Sequence, residues 1–386
     1  MRISIIFIVL SVALNSCIPD IKPAVQEYDN PSNFDQVFDS FWAKMNSNYL
    51  YWNIDTTKWD DVYLKYKPRF HQLNLSDQSD IQSSLNYFRE MTSGLIDGHY
   101  YIQLGSRYFP GTPSINPAFE RKQKSASYRA PFNFQKIAMS YLDAGYKAGT
   151  DATSAPGGQI MSTLSGTIEN RILYFSCNYF YLLKASLSTA GNSNQIVLQY
   201  FFENLAVIPS NIEGVIIDIR GNAGGDIADL NFLVGQFIDA PLHFGYTRYK
   251  YGNGRLDYTP WVGAFANPPS GAKKINLPII LLADNYSGSA AELITQAIKT
   301  LPSGIFIGEN TYGATGPLTL NEIYNDGSFE VGDFMSVQTA SAAFKGLNDE
   351  VFENVGIQPD VFVPYDAISL SKGIDIQLER AISFIK

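Results

Sequence analysis

Cysteine and histidine are both scarce in this 386-residue chain, which has two cysteines, Cys17 and Cys177, and three histidines, His71, His99 and His243. If Cys17 has another use, Cys177 lacks a partner and no intrachain disulfide is available. If the protein needs an imidazole base, only three positions can supply it. Positive charge is short as well, with 28 lysines and arginines against 37 acids, a net charge of −9 and a pI near 4.9. That balance argues against nucleic-acid binding through a general basic surface, and no nucleic-acid motif is present. The sequence has no internal repeats, no Walker lysine and no complete dinucleotide fingerprint. No metal or organic cofactor is implied.

With 45% hydrophobic and 17% charged residues, the chain reads as an ordinary globular protein, long enough for two or three domains and a substantial core. Met1-Arg2 precedes an apolar run from Ile3 to Leu14, which ends in Leu14-Asn15-Ser16-Cys17. A charged start, a short apolar stretch and a small residue before the break are the marks of a secretory signal, and the run is too short to span a bilayer well. Cys17 stands where a bacterial lipobox cysteine would, with Leu14 and Ser16 in matching places. The expectation is a signal over 1–16 and a mature chain anchored to the membrane by a lipid on Cys17, in the bacterial cell envelope outside the cytoplasm. The other reading is a soluble secreted protein. Cys177 lies in an aromatic run, Leu173–Phe180, and reads as a small buried residue.

Residues 17–32, with Pro19, Pro23 and Pro31, read as a tether. Over 33–95 apolar residues recur at helical spacing: Phe34, Val37, Phe38, Phe41 and Trp42 on one face, Leu85, Phe88 and Met91 on another. This predicts an N-terminal helical domain. Residues 96–165 open with Asp97-Gly98-His99, a hairpin-type turn placing a histidine at the start of a strand, and continue as an irregular insert with a strand candidate near Lys136–Tyr141. From 166 to 386 short apolar strands alternate with helical runs, which implies an α/β core with a largely parallel sheet.

Two junctions in that core carry chemistry. In Asp284-Asn285-Tyr286-Ser287-Gly288-Ser289-Ala290-Ala291-Glu292, a strand meets a glycine turn and a helix whose first turn holds Ser289. Free N–H groups and the positive end of the helix dipole would favour a developing anion there. The same Ser289-x-x-Glu292 spacing is that of a plain capping box. In Ile217-Asp218-Ile219-Arg220-Gly221-Asn222-Ala223-Gly224-Gly225-Asp226, a strand runs into a glycine-rich loop. Such a backbone can cradle phosphate, form half of an oxyanion hole, or simply make a tight turn.

Asp218-Ile219-Arg220-Gly221-Asn222-Ala223-Gly224-Gly225 resembles the Asp-x-Arg-x-Asn-x-Gly-Gly segment of the tail-specific, or C-terminal-processing, serine proteases of family S41, which include tricorn and the interphotoreceptor retinoid-binding proteins. Ser287–Glu292, Ile307–Gly313 and Val355-Gly356-Ile357-Gln358-Pro359-Asp360 resemble that family's nucleophile segment, its following strand and turn, and its Gly-Val-x-Pro-Asp ending. The resemblance implies a crotonase/Clp protease-like core of repeated β-β-α units, with Ser289 as nucleophile and the Gly225 and Ala290 N–H groups as the oxyanion hole. Processing proteases carry a lysine base after Thr-Phe-Gly, where this chain has Thr311-Tyr312-Gly313-Ala314. The tricorn-like branch uses histidine instead, which makes His99 the implied base and Glu353 the implied supporting acid. Gly98 stands where tricorn has a serine, and 105–165 is short for a peptide-binding PDZ module, so a degenerate PDZ is the most it would hold. The implied function is a serine peptidase acting on a peptide or protein substrate through an acyl-enzyme. The alternative is an inactive binding protein of the same fold.

Overall fold

The computed structural model describes residues 25–125, 128–151, 158–188, 191–319 and 327–385. The expected signal, Cys17 and the first part of the expected tether lie outside them. Three helices come first: α1 (Phe34–Asn48), α2 (Trp59–Phe70) and α3 (Gln78–Thr92). Asn33 and Asp77 cap α1 and α3 by accepting backbone N–H groups of the first turn, which fixes where these helices begin. Short strands β1 (Tyr101–Leu104) and β2 (Ser114–Ile115) follow, then α4 (Pro117–Gln123) and α5 (Gln135–Ala138). The strand expected near Lys136–Tyr141 is instead the end of a short helix and a turn. Among the described residues no strand pairs with it, and its N–H groups close local turns instead, with Ala138 N donating to Phe134 O and Tyr141 N to Ala138 O.

An antiparallel meander, β3 (Lys147–Asp151), β4 (Met161–Ile168) and β5 (Ile172–Cys177), leads through α6 (Leu182–Ser186) and α7 (Ser193–Ala206) to β6 (Gly214–Asp218). After α8 (Ala228–Val234) come β7 (Leu242–Tyr249), β8 (Val262–Ala266) and β9 (Ile279–Ala283), then α9 (Ala290–Thr300) and β10 (Gly304–Gly308). The chain closes with β11 (Ser328–Val331), β12 (Met335–Gln338), β13 (Ala342–Lys345), β14 (Val361–Phe362), α10 (Ala367–Ser371) and α11 (Ile376–Phe384).

Seven strands form the central sheet in the order β14-β10-β9-β6-β5-β4-β3. Neighbours from β14 to β5 are parallel, and the remaining two pairs are antiparallel. Successive side chains on a strand point to opposite faces, and the packing follows that rule. Val215, Ile217, Ile279 and Leu281 face a core shared with α7 and α9, while Ile216, Ile280 and Leu282 face one shared with α11. Both faces are covered, so β5, β6 and β9 are apolar and buried along their length.

This arrangement corrects the expectation of a crotonase/Clp-like core of repeated β-β-α units. The parallel strands β5, β6, β9 and β10 lie side by side in chain order. After β5, which follows β4 through a tight turn, β6, β9 and β10 are each reached by a crossover, because parallel neighbours cannot be joined by a hairpin. β7 and β8 do not form a repeating pair in this sheet; they leave it for a separate three-stranded sheet, β13-β7-β8.

The N-terminal helices share a core with a third sheet, β11-β12-β1-β2, built from both ends of the chain. Phe34, Phe38, Phe41 and Phe88 pack with Phe334, Met335 and Val337 in one cluster. Strand β12 thus pairs with β1, which begins two residues after His99.

Candidate active site

Strand β9 ends at Ala283, and the next residues are tied to the end of β6. The buried Asp284 carboxylate accepts the Gly221 and Tyr286 N–H groups at 2.9 and 3.0 Å. Ser287, the other serine of this stretch, donates through its hydroxyl to Ile219 O at 2.8 Å. The Gly288 N–H goes to Asn222 O. These bonds bring Ser289 to the start of α9 with φ +56°, a conformation rare for a serine and held by the structure around it.

Across from Ser289, Asn222 Oδ1 accepts the Gly224 N–H at 2.8 Å. A Cβ on Gly224 would lie 2.7 Å from Ser289 Cβ, and Gly224 and Gly225 have φ of +101° and +142°. Glycine is therefore required twice over, for conformation and for the close approach to Ser289. Neither the Gly225 nor the Ala290 N–H carries a hydrogen bond among the described residues.

His99 reaches this point from the other side. Asp97 Oδ1 accepts the His99 N–H at 2.8 Å, and His99 Nε2 lies 3.0 Å from Ser289 Oγ. Burial lowers the imidazole to about 4, so the ring is neutral near pH 7. With the serine hydroxyl donating to Nε2, the ring proton sits on Nδ1, which is buried and has no partner among the described residues.

Glu353 does not touch the imidazole. Its Oε1 accepts the Gly98 N–H at 2.7 Å, and its Oε2 accepts from Tyr51 Oη, Thr315 N and Gly316 N at 2.8–3.0 Å. It thus fixes the backbone just before His99 and links it to the N-terminal helices through Tyr51. Burial and the neighbouring Asp97 charge push the Glu353 carboxyl well above the ordinary range; Asp97 is raised by burial too.

Ser289-x-x-Glu292 is a capping box, with Glu292 Oε2 taking the Ser289 N–H at 3.1 Å. The cap and the contact to His99 coexist, because the Glu292 carboxylate continues to the 311–314 turn. It accepts Thr311 Oγ1 and Gly313 N on Oε1 at 2.6 and 2.7 Å, and Ala314 N on Oε2 at 2.7 Å.

The fold therefore brings Ser289, His99, Gly225 and Ala290 to one point, with Glu353 one backbone step away. The other histidines lie elsewhere. His71 pairs with Asp35 on the surface, and His243 stacks on Phe265. Sequence reasoning read Asp97 only as part of the turn; it sits two residues before His99 at the spacing of an Asx turn and accepts the His99 N–H. Sequence reasoning missed Tyr51, which carries no sequence signal, and it read Glu292 only as a cap and register marker. Among the described residues no group of three or more histidine, cysteine or acidic side chains could hold a metal, and no helix is long and apolar enough to cross a membrane.

Residues 186–363 match the profile of Peptidase family S41. The nisin-resistance protein of Lactococcus lactis is 28% identical over 179 residues, 44% of this chain and 52% of that protein. Tricorn protease of Thermoplasma volcanium is 28% identical over 192 residues, 50% of this chain and 16% of that protein. The chain thus spans about half or less of the length of these curated relatives. A crystal structure of a protein described as a peptidase from Parabacteroides merdae has a TM-score of 0.68 at 23% identity, covering 92% of this chain and 97% of that one. Mature CPAF has a TM-score of 0.58 at 11% identity, covering 88% and 94%. The overall fold is that of these peptidases and not a crotonase-like repeat. On these matches, residues 186–363 are similar to peptidase family S41, and the whole chain shares the fold of these peptidases.

Proposed function

We propose that the protein is a serine peptidase of the histidine-dependent, tricorn-like kind. Ser289 Oγ attacks the carbonyl carbon of a peptide bond while His99 Nε2 takes its proton. The carbonyl oxygen becomes an anion facing the Gly225 and Ala290 N–H groups, each such donor being worth roughly 3–4 kcal/mol in the transition state. The C–N bond then breaks, the departing amine takes the proton from His99, and water releases the acyl group by the reverse sequence. The observation that carries this reading is the 3.0 Å approach of Ser289 Oγ and His99 Nε2, two groups 190 positions apart.

A cleft of about 200 Å³ opens beside Ser289, lined by Gly225, Ile227, Leu293, Pro317 and Leu318 among others, and suits one substrate side chain. A lysine base has no place at Ala314, a residue without a proton-accepting side chain whose N–H is already engaged by Glu292. We further infer a lipid on Cys17 and a site of action in the bacterial cell envelope, on the lipobox-like sequence alone.

The test is cleavage of a denatured protein substrate followed by mass spectrometry. The native chain is expected to give new peptide termini and Ser289→Ala none. Equal cleavage by both would reject the assignment, and no cleavage by either would favour the binding protein.

A further inference from the structure

The insert between His99 and the sheet does more than connect them. Helix α4 is capped by Asn116 and carries Lys122 to the rim of the Ser289 turn. Lys122 Nζ donates to Tyr312 O at 2.8 Å and to Asn285 O at 3.1 Å, and lies 3.4 Å from the centroid of the Tyr312 ring. The two carbonyls belong to the two loops that frame Ser289. Those loops also meet directly, since the Tyr312 N–H donates to Ser287 O and a Cβ on Gly288 would lie 3.2 Å from Tyr312 Cβ.

One peptide unit links this ammonium to the nucleophile. The carbonyl of Tyr312 takes Lys122, and the N–H on the other side of that peptide, from Gly313, goes to Glu292 Oε1. Glu292 Oε2 in turn holds the Ser289 N–H. A cation on the carbonyl polarises the peptide and strengthens its N–H as a donor to the buried carboxylate. That carboxylate helps hold Ser289 at its unfavourable φ.

We propose that Lys122 is a positioning residue for the reaction at Ser289, clamping the loops at Asn285 and Tyr312 so that the serine stays aligned with His99. The proposal rests on the serine peptidase reading above.

Burial lowers the Lys122 ammonium to about 8, with Glu292 and Asp284 pulling the other way. The Tyr312 ring lies against it, with the Tyr312 hydroxyl pushed up to about 12 by burial; Arg121 precedes it on α4, and Arg129 pairs with Asp284 and Glu309. The charged form makes the clamp, so activity falls as pH rises through about 8. An arginine keeps its charge there and reaches two carbonyls with one guanidinium. Glu353 and Asp97 are shared by all the variants below, so the difference between lysine and arginine reports position 122.

The experiment measures kcat and KM on a peptide substrate from pH 5 to 10, and the rate of Ser289 labelling by a fluorophosphonate, for the native chain, Lys122→Met and Lys122→Arg. Thermal melting serves as the fold control. Lys122→Met is expected to lower kcat and the labelling rate by about 10- to 100-fold, with KM within about twofold and a folded melt. Lys122→Arg is expected to keep most of the activity and to lose the alkaline fall near pH 8. If Lys122→Met labels and turns over like the native chain, or if methionine and arginine impair it equally, the role of Lys122 is overturned. If the native chain itself fails to label at Ser289, the serine peptidase reading falls first and takes this proposal with it.

Discussion

At Ser289 one side chain and its backbone serve two purposes. The residue begins α9 as a cap, and its hydroxyl points to an imidazole. The cap residue was legible in sequence, because the glycine turn and the following Glu292 mark it. His99 was legible by elimination among three histidines and by the motif around it. Glu353 was legible as a residue but not in its placement, because its partners, Tyr51, Gly98, Thr315 and Gly316, come from three distant parts of the chain. His99 must be neutral to accept a proton, and burial sets it at about 4. Activity should therefore rise as pH increases through about 4, well below the ordinary imidazole range, and His99→Ala should lower kcat by roughly 10²- to 10⁴-fold. Titration of the His99 ring by NMR checks this; a folded-state value near 6.5 would contradict the burial argument.

The elements around the site are held by a buried ion network that sequence reading did not anticipate. Arg220, at the end of β6, bonds Asp218 at 2.6 Å and Asp375 at 2.8 Å, and its guanidinium lies 3.9 Å from the centroid of the Phe134 ring. Asp375 also caps α11, accepting the Leu378 N–H, so one residue fastens the last helix to the central sheet. Burial pushes the Asp375 carboxyl up, but the Arg220 charge and hydrogen bonds outweigh it and leave it below the ordinary range. A carboxyl depressed on folding stabilises above its unfolded value, near 3.9, and that stability is lost as pH falls through the folded value. Asp375→Ala, which leaves Arg220 with an incomplete set of partners, should cost about 3–5 kcal/mol, read as a lower urea midpoint at pH 7. A change under about 0.5 kcal/mol would show that the network is dispensable. The apolar runs Arg171–Phe175, Gly214–Ile219 and Leu277–Ala283 announced the buried strands, because a parallel sheet covered on both faces needs them. The β13-β7-β8 sheet was not announced. Its edge strand β8 is largely exposed and lacks the continuous apolar signal of the central strands.

At the scale of the whole molecule, the site exists only because the chain closes on itself. His99 follows the N-terminal helices, which share a core with strands near 330–338, while Ser289 stands on the central sheet. Helical periodicity showed that 33–95 would be helical. It could not show that this region would pack with residues near the other end, because the partner of an apolar face is not written in its own spacing. On the proposed function, folding alone makes Ser289 reactive through His99. The most direct measurement treats the protein with a fluorophosphonate and locates the adduct by peptide mass spectrometry, in the native chain, in His99→Ala, in Ser289→Ala and in urea. A single adduct is expected on Ser289 in the folded native chain and none in the other three samples. An adduct on a different serine, or undiminished labelling of Ser289 in His99→Ala, would contradict it.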